Sequence, residues 1–195
     1  MGGPVKCDVV LAGVGGQGVL TVAAIISASA QRLRLQVKQA EVHGMSQRGG
    51  SVLATTRISD RPVASPLVCD GRADLLIGLE PLEALRYLPL LSRDGALVST
   101  SEPVVNIPDY PDLESVAARI ESVPGSLLID ATEIARGLKS PRSVNVILVG
   151  AAARHLPLDD QTIEATIRWF FRAKDQRTQD VNVEAYRAGK AAAAC

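Results

Sequence analysis

Aromatic residues are nearly absent from this chain: two Phe, three Tyr and one Trp make up 3% of 195 residues. A core of this size must therefore be built from Ala, Val, Leu and Ile, a composition that suits a parallel sheet covered by helices. Charge of one sign is also missing. Twenty-one Lys and Arg balance 21 Asp and Glu, which argues against nucleic acid as the main partner, because neutralising phosphates needs a basic excess. The apolar runs are too short or too broken to span a bilayer. The N-terminal MGGPVKCD has no apolar signal-peptide core, so a cytoplasmic protein is expected. The three cysteines, Cys7, Cys69 and Cys195, are scattered and odd in number. They suit a reducing compartment and cannot supply the usual four ligands of an iron–sulfur cluster. What remains is 47% hydrophobic and 22% charged, ordinary for a globular chain. The length points to a single domain, residues 1–195, that buries about 70% of its unfolded surface.

Residues 7–12 form a short apolar run that reads as a buried strand, followed by Gly13-Val14-Gly15-Gly16-Gln17-Gly18 and a long run of small apolar residues. Residues 18–33 read as a helix covered on more than one side, and 35–41 alternate as a second strand. The unit has the length of a right-handed β-loop-α-β crossover. Strands follow at 51–59, 73–80, 95–100 and 126–130. A helix is expected after Pro81, which stands where a first helical turn tolerates proline. Further helices are expected over 130–138, over 143–156, from Asp159 or Asp160 to about Lys174, and from Asp180 onward. Pro103, Pro108 and Pro111, with Pro124 just outside, mark 101–112 as irregular. The sum is an α/β chain with a mostly parallel sheet.

The glycine stretch fits G-x-G-x-x-G between a strand and a helix. Glycines permit a tight turn and close backbone approach, and the helix N-terminus offers N–H groups to an anion. Glu41, 23 residues past Gly18, stands where an acid holds the ribose in a dinucleotide site. The other reading of the glycines is tight packing of helix on sheet. No G-x-x-x-x-G-K-S/T motif is present, so a nucleotide triphosphatase is disfavoured. The second strand runs directly into His43-Gly44-Met45-Ser46-Gln47-Arg48-Gly49-Gly50-Ser51. If the two strands end on one sheet edge, both loops face one crevice. Arg48 suits a bidentate grip on phosphate or carboxylate, and Gly49-Gly50 admits close approach by a ligand or a partner chain. Taken singly, Arg48 reads as a surface ion pair and His43 as a satisfied loop histidine. Taken together with the glycine loop, they read as a site.

These two segments, GVGGQGV and EVHGMSQRGGSV, resemble the gamma subunit or gamma domain of the 2-oxoacid (pyruvate-type) ferredoxin oxidoreductases, most closely the beta subunits of the indolepyruvate ferredoxin oxidoreductases. Ser65-Pro66-Leu67, Ala73-Asp74-Leu75-Leu76, Glu80-Pro81-Leu82-Glu83-Ala84 and Asn145 to Ala151 continue the likeness. The resemblance implies a Rossmann-like three-layer α/β fold in a multi-subunit enzyme. That enzyme decarboxylates a 2-oxoacid, here an arylpyruvate, passes the acyl group to coenzyme A, and reduces ferredoxin. It implies thiamine diphosphate, Mg and 4Fe-4S clusters on partner subunits, and an accessory role for this chain, inactive alone. Carried onto these residues, it makes Gly13, Gly15, Gly16, Gln17 and Gly18, with His43, Met45, Ser46, Gln47, Arg48, Gly49, Gly50 and Ser51, candidates for contact with coenzyme A or with the catalytic subunit. Isolated chains are expected to form a homodimer through the surface meant for that partner. A stand-alone NAD- or flavin-dependent oxidoreductase and a pure scaffold are the alternatives.

Overall fold

A computed structural model describes residues 4–44, 49–105 and 107–194. In chain order the elements are β1 (Lys6–Val14), α1 (Val19–Arg32), β2 (Gln36–His43), β3 (Ser51–Ser59), β4 (Ala73–Gly78), α2 (Pro81–Arg86), β5 (Leu91–Thr100), α3 (Leu113–Glu121), β6 (Leu127–Ile129), α4 (Ala131–Gly137), α5 (Val144–Ala152), α6 (Asp160–Phe170) and α7 (Gln176–Ala192). The sheet order is β2-β3-β1-β4-β5-β6. β1, β4, β5 and β6 pair in parallel, and β3 runs against both β1 and β2.

Period-two alternation along the central strands divides the core into two layers. Val9 and Leu11 of β1, Leu75 and Ile77 of β4 and Val98 of β5 face α1, α5 and α7. Val10, Ala12, Leu76 and Leu97 face Ala84 of α2 and Val116 and Ile120 of α3. Strands covered on both sides need no polar face, which explains the unbroken apolar run at 9–12. α5 is buried from Asn145 to its end, with only its first residue, Val144, partly exposed, as a helix apolar nearly all round must be, and it lies between the sheet and α7.

The expected crossover from β1 to a neighbouring second strand is corrected. β3 lies between β1 and β2, so β2 stands at the sheet edge. Only seven residues separate the end of β2 from the start of β3. A parallel return needs a dozen or more, so antiparallel pairing was the only short route. Arg57 of β3 sits opposite Asp8 of β1 and grips its buried carboxylate with two bonds of 2.8 and 3.1 Å. Its remaining nitrogen binds the carbonyls of Ser65 and Leu67. One guanidinium therefore joins two strands and the following loop. Elsewhere β5 begins earlier than expected, α7 starts before Asp180, and α3 lies in a stretch the sequence reading left unassigned. Among the described residues no helix is long and apolar enough to cross a membrane.

Candidate functional site

The glycine loop joins β1 to α1 at the edge where β2, β4, β5 and β6 also end and β3 begins. β2 is two strands from β1, yet the hairpin into β3 returns to the loop. Gly15 donates its N–H to the Gly50 carbonyl at 2.8 Å, and the Gly49 N–H reaches the Gly15 carbonyl at 3.3 Å. The structure thus brings Gly13 to Gly18 together with Gly49, Gly50 and Ser51. His43 lines the same region. Met45, Ser46, Gln47 and Arg48 lie outside the described residues.

Each glycine-loop residue has a distinct place. Gly13 is packed where a Cβ would meet the Gln17 and Val19 side chains at 2.9 Å. Gln17 turns back into the fold: its Oε1 accepts from the Val14 N–H and its Nε2 donates to the Leu79 carbonyl, both at 2.7 Å. It thereby staples β1 to the end of β4. Gly18 is the N-cap of α1 with φ +85°, so α1 has no side-chain cap, and its first turn carries no acid. The uncapped N-terminus of this fourteen-residue helix keeps its orphan N–H groups and its positive dipole end free of a capping side chain. The Ser51 hydroxyl donates to Glu83 of α2 at 2.5 Å.

A cavity opens on each side of this loop. One, of about 400 Å³, is apolar and is lined by Val14, Val19, Leu20, Val52 and His43 beside the glycines. The other, of about 530 Å³, lies between the N-termini of α1 and α5. Gly16, Gly18 and Thr21 form one wall, Arg142, Val144 and Asn145 a second, and Thr100, Glu102 and Val104 a third. α5 likewise has no side-chain cap and no acid in its first turn. Asn145 is nine-tenths buried, and its Nδ2 stands so close that a Cβ on Gly18 would fall 2.5 Å from it. Its Oδ1 accepts from the Val146 N–H, which leaves the amide N–H groups on the cavity side. The cavity continues past Arg142 into a groove bordered by Lys139, Lys174 and Thr178. Two helix N-termini, one guanidinium and one amide donor give this cavity the means to receive an anion, with the Glu102 carboxylate on its third wall as the opposing charge. Thr21, Arg142 and Asn145 were not among the site candidates read from sequence, although Asn145 opens a stretch that carries the family resemblance. The signal available was Ser140-Pro141-Arg142-Ser143 standing directly before an apolar helix.

Glu41 is exposed on the edge strand and pairs with Ala54 of β3. With β3 interposed, it does not neighbour the glycine loop as a dinucleotide site requires. Among the described residues no three His, Cys, Asp or Glu side chains gather to hold a metal ion.

Residues 8–192 match the family described as pyruvate ferredoxin/flavodoxin oxidoreductase. The chain belongs to this family. It is 35% identical to the indolepyruvate oxidoreductase subunit IorB of Archaeoglobus fulgidus, over 94% of each chain. Among solved structures it resembles a keto/oxoacid ferredoxin oxidoreductase gamma subunit from Geobacter sulfurreducens, with a TM-score of 0.70, 18% identity, and 96% of this chain and 98% of that one covered. It also resembles the 2-oxoglutarate:ferredoxin oxidoreductase of Magnetococcus marinus, solved with 2-oxoglutarate, coenzyme A and succinyl-CoA bound, at a TM-score of 0.77 and 21% identity. The likeness covers 97% of this chain and 31% of that one, so the fold of this oxidoreductase subunit recurs as a part of a longer polypeptide.

Proposed function

We propose that this chain is the accessory, gamma- or beta-type subunit of a cytoplasmic 2-oxoacid:ferredoxin oxidoreductase that acts on an arylpyruvate. The complex would oxidatively decarboxylate the 2-oxoacid to its acyl-CoA and reduce ferredoxin. Thiamine diphosphate with Mg, and the 4Fe-4S clusters, belong to catalytic partner subunits, and this chain alone has no turnover. Its part is to hold the phosphate end of coenzyme A beside the partner's reacting centre.

The observation that carries the coenzyme A assignment is the cavity between the N-termini of α1 and α5. Coenzyme A brings a diphosphate and a ribose 3′-phosphate. The N–H groups following Gly18 and the side-chain amide of Asn145 suit phosphate oxygens, Arg142 offers a forked donor, and Lys139 and Lys174 extend positive charge along the adjoining groove. The apolar cavity across the glycine loop, with Leu20 and His43, then faces the partner chain.

The test is reconstitution of the chain with its thiamine-diphosphate-binding partner under anaerobic conditions, followed by CoA-dependent reduction of a viologen dye with indolepyruvate, pyruvate and 2-oxoglutarate. The isolated chain should give no turnover, and the complex should prefer the arylpyruvate. Arg142→Ala should raise the KM for CoA by about ten- to a hundredfold, what a hydrogen bond between charged groups is worth, with the KM for the 2-oxoacid unchanged. An unmoved KM for CoA would remove the cavity from the reading, and absence of CoA dependence in the wild-type complex would remove the reading itself.

A further inference from the structure

α2 has six residues and two buried carboxylates, Glu80 and Glu83, that the proposed function does not use. A buried carboxylate is tolerated only where hydrogen bonds replace its lost water, and the partners of these two are unusual. In α3, α4, α6 and α7 the N-cap is an exposed aspartate, Asp112, Asp130, Asp159 or Asp175. Only α2 among these is capped by a buried glutamate. The longer side chain caps with one oxygen and leaves the other to reach further. Oε2 accepts from the Glu83 N–H at 2.7 Å, while Oε1 accepts from the Tyr110 hydroxyl and, at 3.4 Å, from the Val104 N–H.

Those two outer partners lie in the proline-marked segment after β5. Among its described residues it has no helix or strand of its own between Thr100 and Leu113, and its Glu102 and Val104 line the cavity between α1 and α5. Glu83 reaches in the other direction. It accepts from Ser51, which also lies 3.3 Å from the Tyr87 hydroxyl, and its charge is met by Arg86 at 3.2 Å. Ser51 follows Gly50, whose carbonyl holds the Gly15 N–H of the glycine loop. One short helix is thus tied to the outer wall of one cavity and to the strand that anchors the loop beside the other.

We infer that α2 is a brace, in which Glu80 and Glu83 are positioning residues that set the two rims of the site. Glu80 holds Val104 and Tyr110 at the rim of the anion cavity, and Glu83 holds the start of β3 against the glycine loop. The functional arm of this inference rests on the coenzyme A reading, and its structural arm does not.

Tyr110→Phe separates the roles, since it removes one rim bond and leaves the cap of α2 in place. Hydrogen exchange in the isolated chain should quicken across residues 101–105 while α1 and the urea midpoint stay near wild type. Glu83→Gln should quicken exchange at Gly49, Gly50 and Gly15 instead. In the reconstituted complex, Tyr110→Phe should raise the KM for CoA by about tenfold with kcat retained, whereas a stability effect alone would lower the active fraction without moving KM. Unchanged exchange at 101–105 in Tyr110→Phe overturns the Glu80 arm, and unchanged exchange at Gly15 in Glu83→Gln overturns the Glu83 arm. Faster exchange with an unmoved KM overturns the positioning role. If wild-type turnover shows no dependence on CoA, the coenzyme A reading fails and exchange decides the brace by itself.

Discussion

At the scale of single residues, neighbouring glycines in one loop carry different burdens. Gly16 and Gly18 both have positive φ, +105° and +85°. A Cβ on Gly16 would meet nothing within 4 Å, while one on Gly18 would press on the Asn145 amide at 2.5 Å. Gly16→Ala should therefore cost only backbone strain, on the order of 1 kcal/mol. Gly18→Ala adds displacement of Asn145 and should cost about 2–3 kcal/mol, read as the difference in urea unfolding midpoints. If Asn145 donates to the ligand, Gly18→Ala also weakens CoA binding and Gly16→Ala does so less. This difference shows what was legible in the sequence. The glycine loop and the Gly49–Ser51 segment announced themselves by motif, and the fold brings them together. Arg142, well over a hundred residues away, carries no motif of its own, and Asn145 stands out only as the start of a stretch that continues the family likeness, with nothing local to mark it as a site residue. Their arrival at Gly18 depends on how α5 packs against α1, which no local pattern encodes. Gln17, conspicuous inside the motif, turns its amide to backbone groups of β1 and β4.

At the scale of elements, α5 and α7 cross in direct backbone contact. A Cβ on Gly150 would fall 1.9 Å from the Tyr186 carbonyl oxygen, and one on Gly189 would fall 1.9 Å from that of Ile147. Neither obstacle is a side chain that can rotate away. Replacing Gly by Ala inside a helix normally favours the helix by about 1 kcal/mol, so the two effects oppose each other. The clash should win: Gly189→Ala is expected to destabilise by about 3 kcal/mol, measured by urea denaturation, and a neutral or stabilising result would show that the helices can separate at small cost. The strand at 51–59 was readable from its β-branched residues, and the one within 73–80 from a short apolar run bounded by turn residues. The order of strands was not readable from those runs, since a strand pattern is the same in either direction. The clue lay in the connection, too short for a parallel return between β2 and β3. α3 escaped notice because its helical pattern, with Val116 and Ile120 as its buried residues, is short and follows a run of prolines.

At the scale of the whole molecule, several groups titrate in the same sense. Asp159 and Asp175 are held below the ordinary carboxylate value of 3.8 by the backbone N–H and then the hydroxyl of Thr162 and Thr178. Asp160 is held below it by Lys190 and then Tyr186. A carboxylate with a lowered value in the folded state contributes stability that is present above 3.8 and is lost as pH falls through the folded value. His155 is lowered from 6.5 by burial and then by Arg154. The unfolded chain therefore binds a proton there more readily, and stability begins to fall as pH drops below 6.5. Both contributions weaken the fold on acidification, in two separate windows. Urea midpoints followed downward from neutral pH should decline first with His155 and again below about pH 4 with the caps. Asp159→Asn with Asp175→Asn keeps a capping oxygen on each helix but removes its titration, so it should flatten the lower decline and leave the upper one. Replacing His155 by Gln should do the reverse. A single decline unaffected by either change would overturn this assignment of the two windows to His155 and to the helix caps.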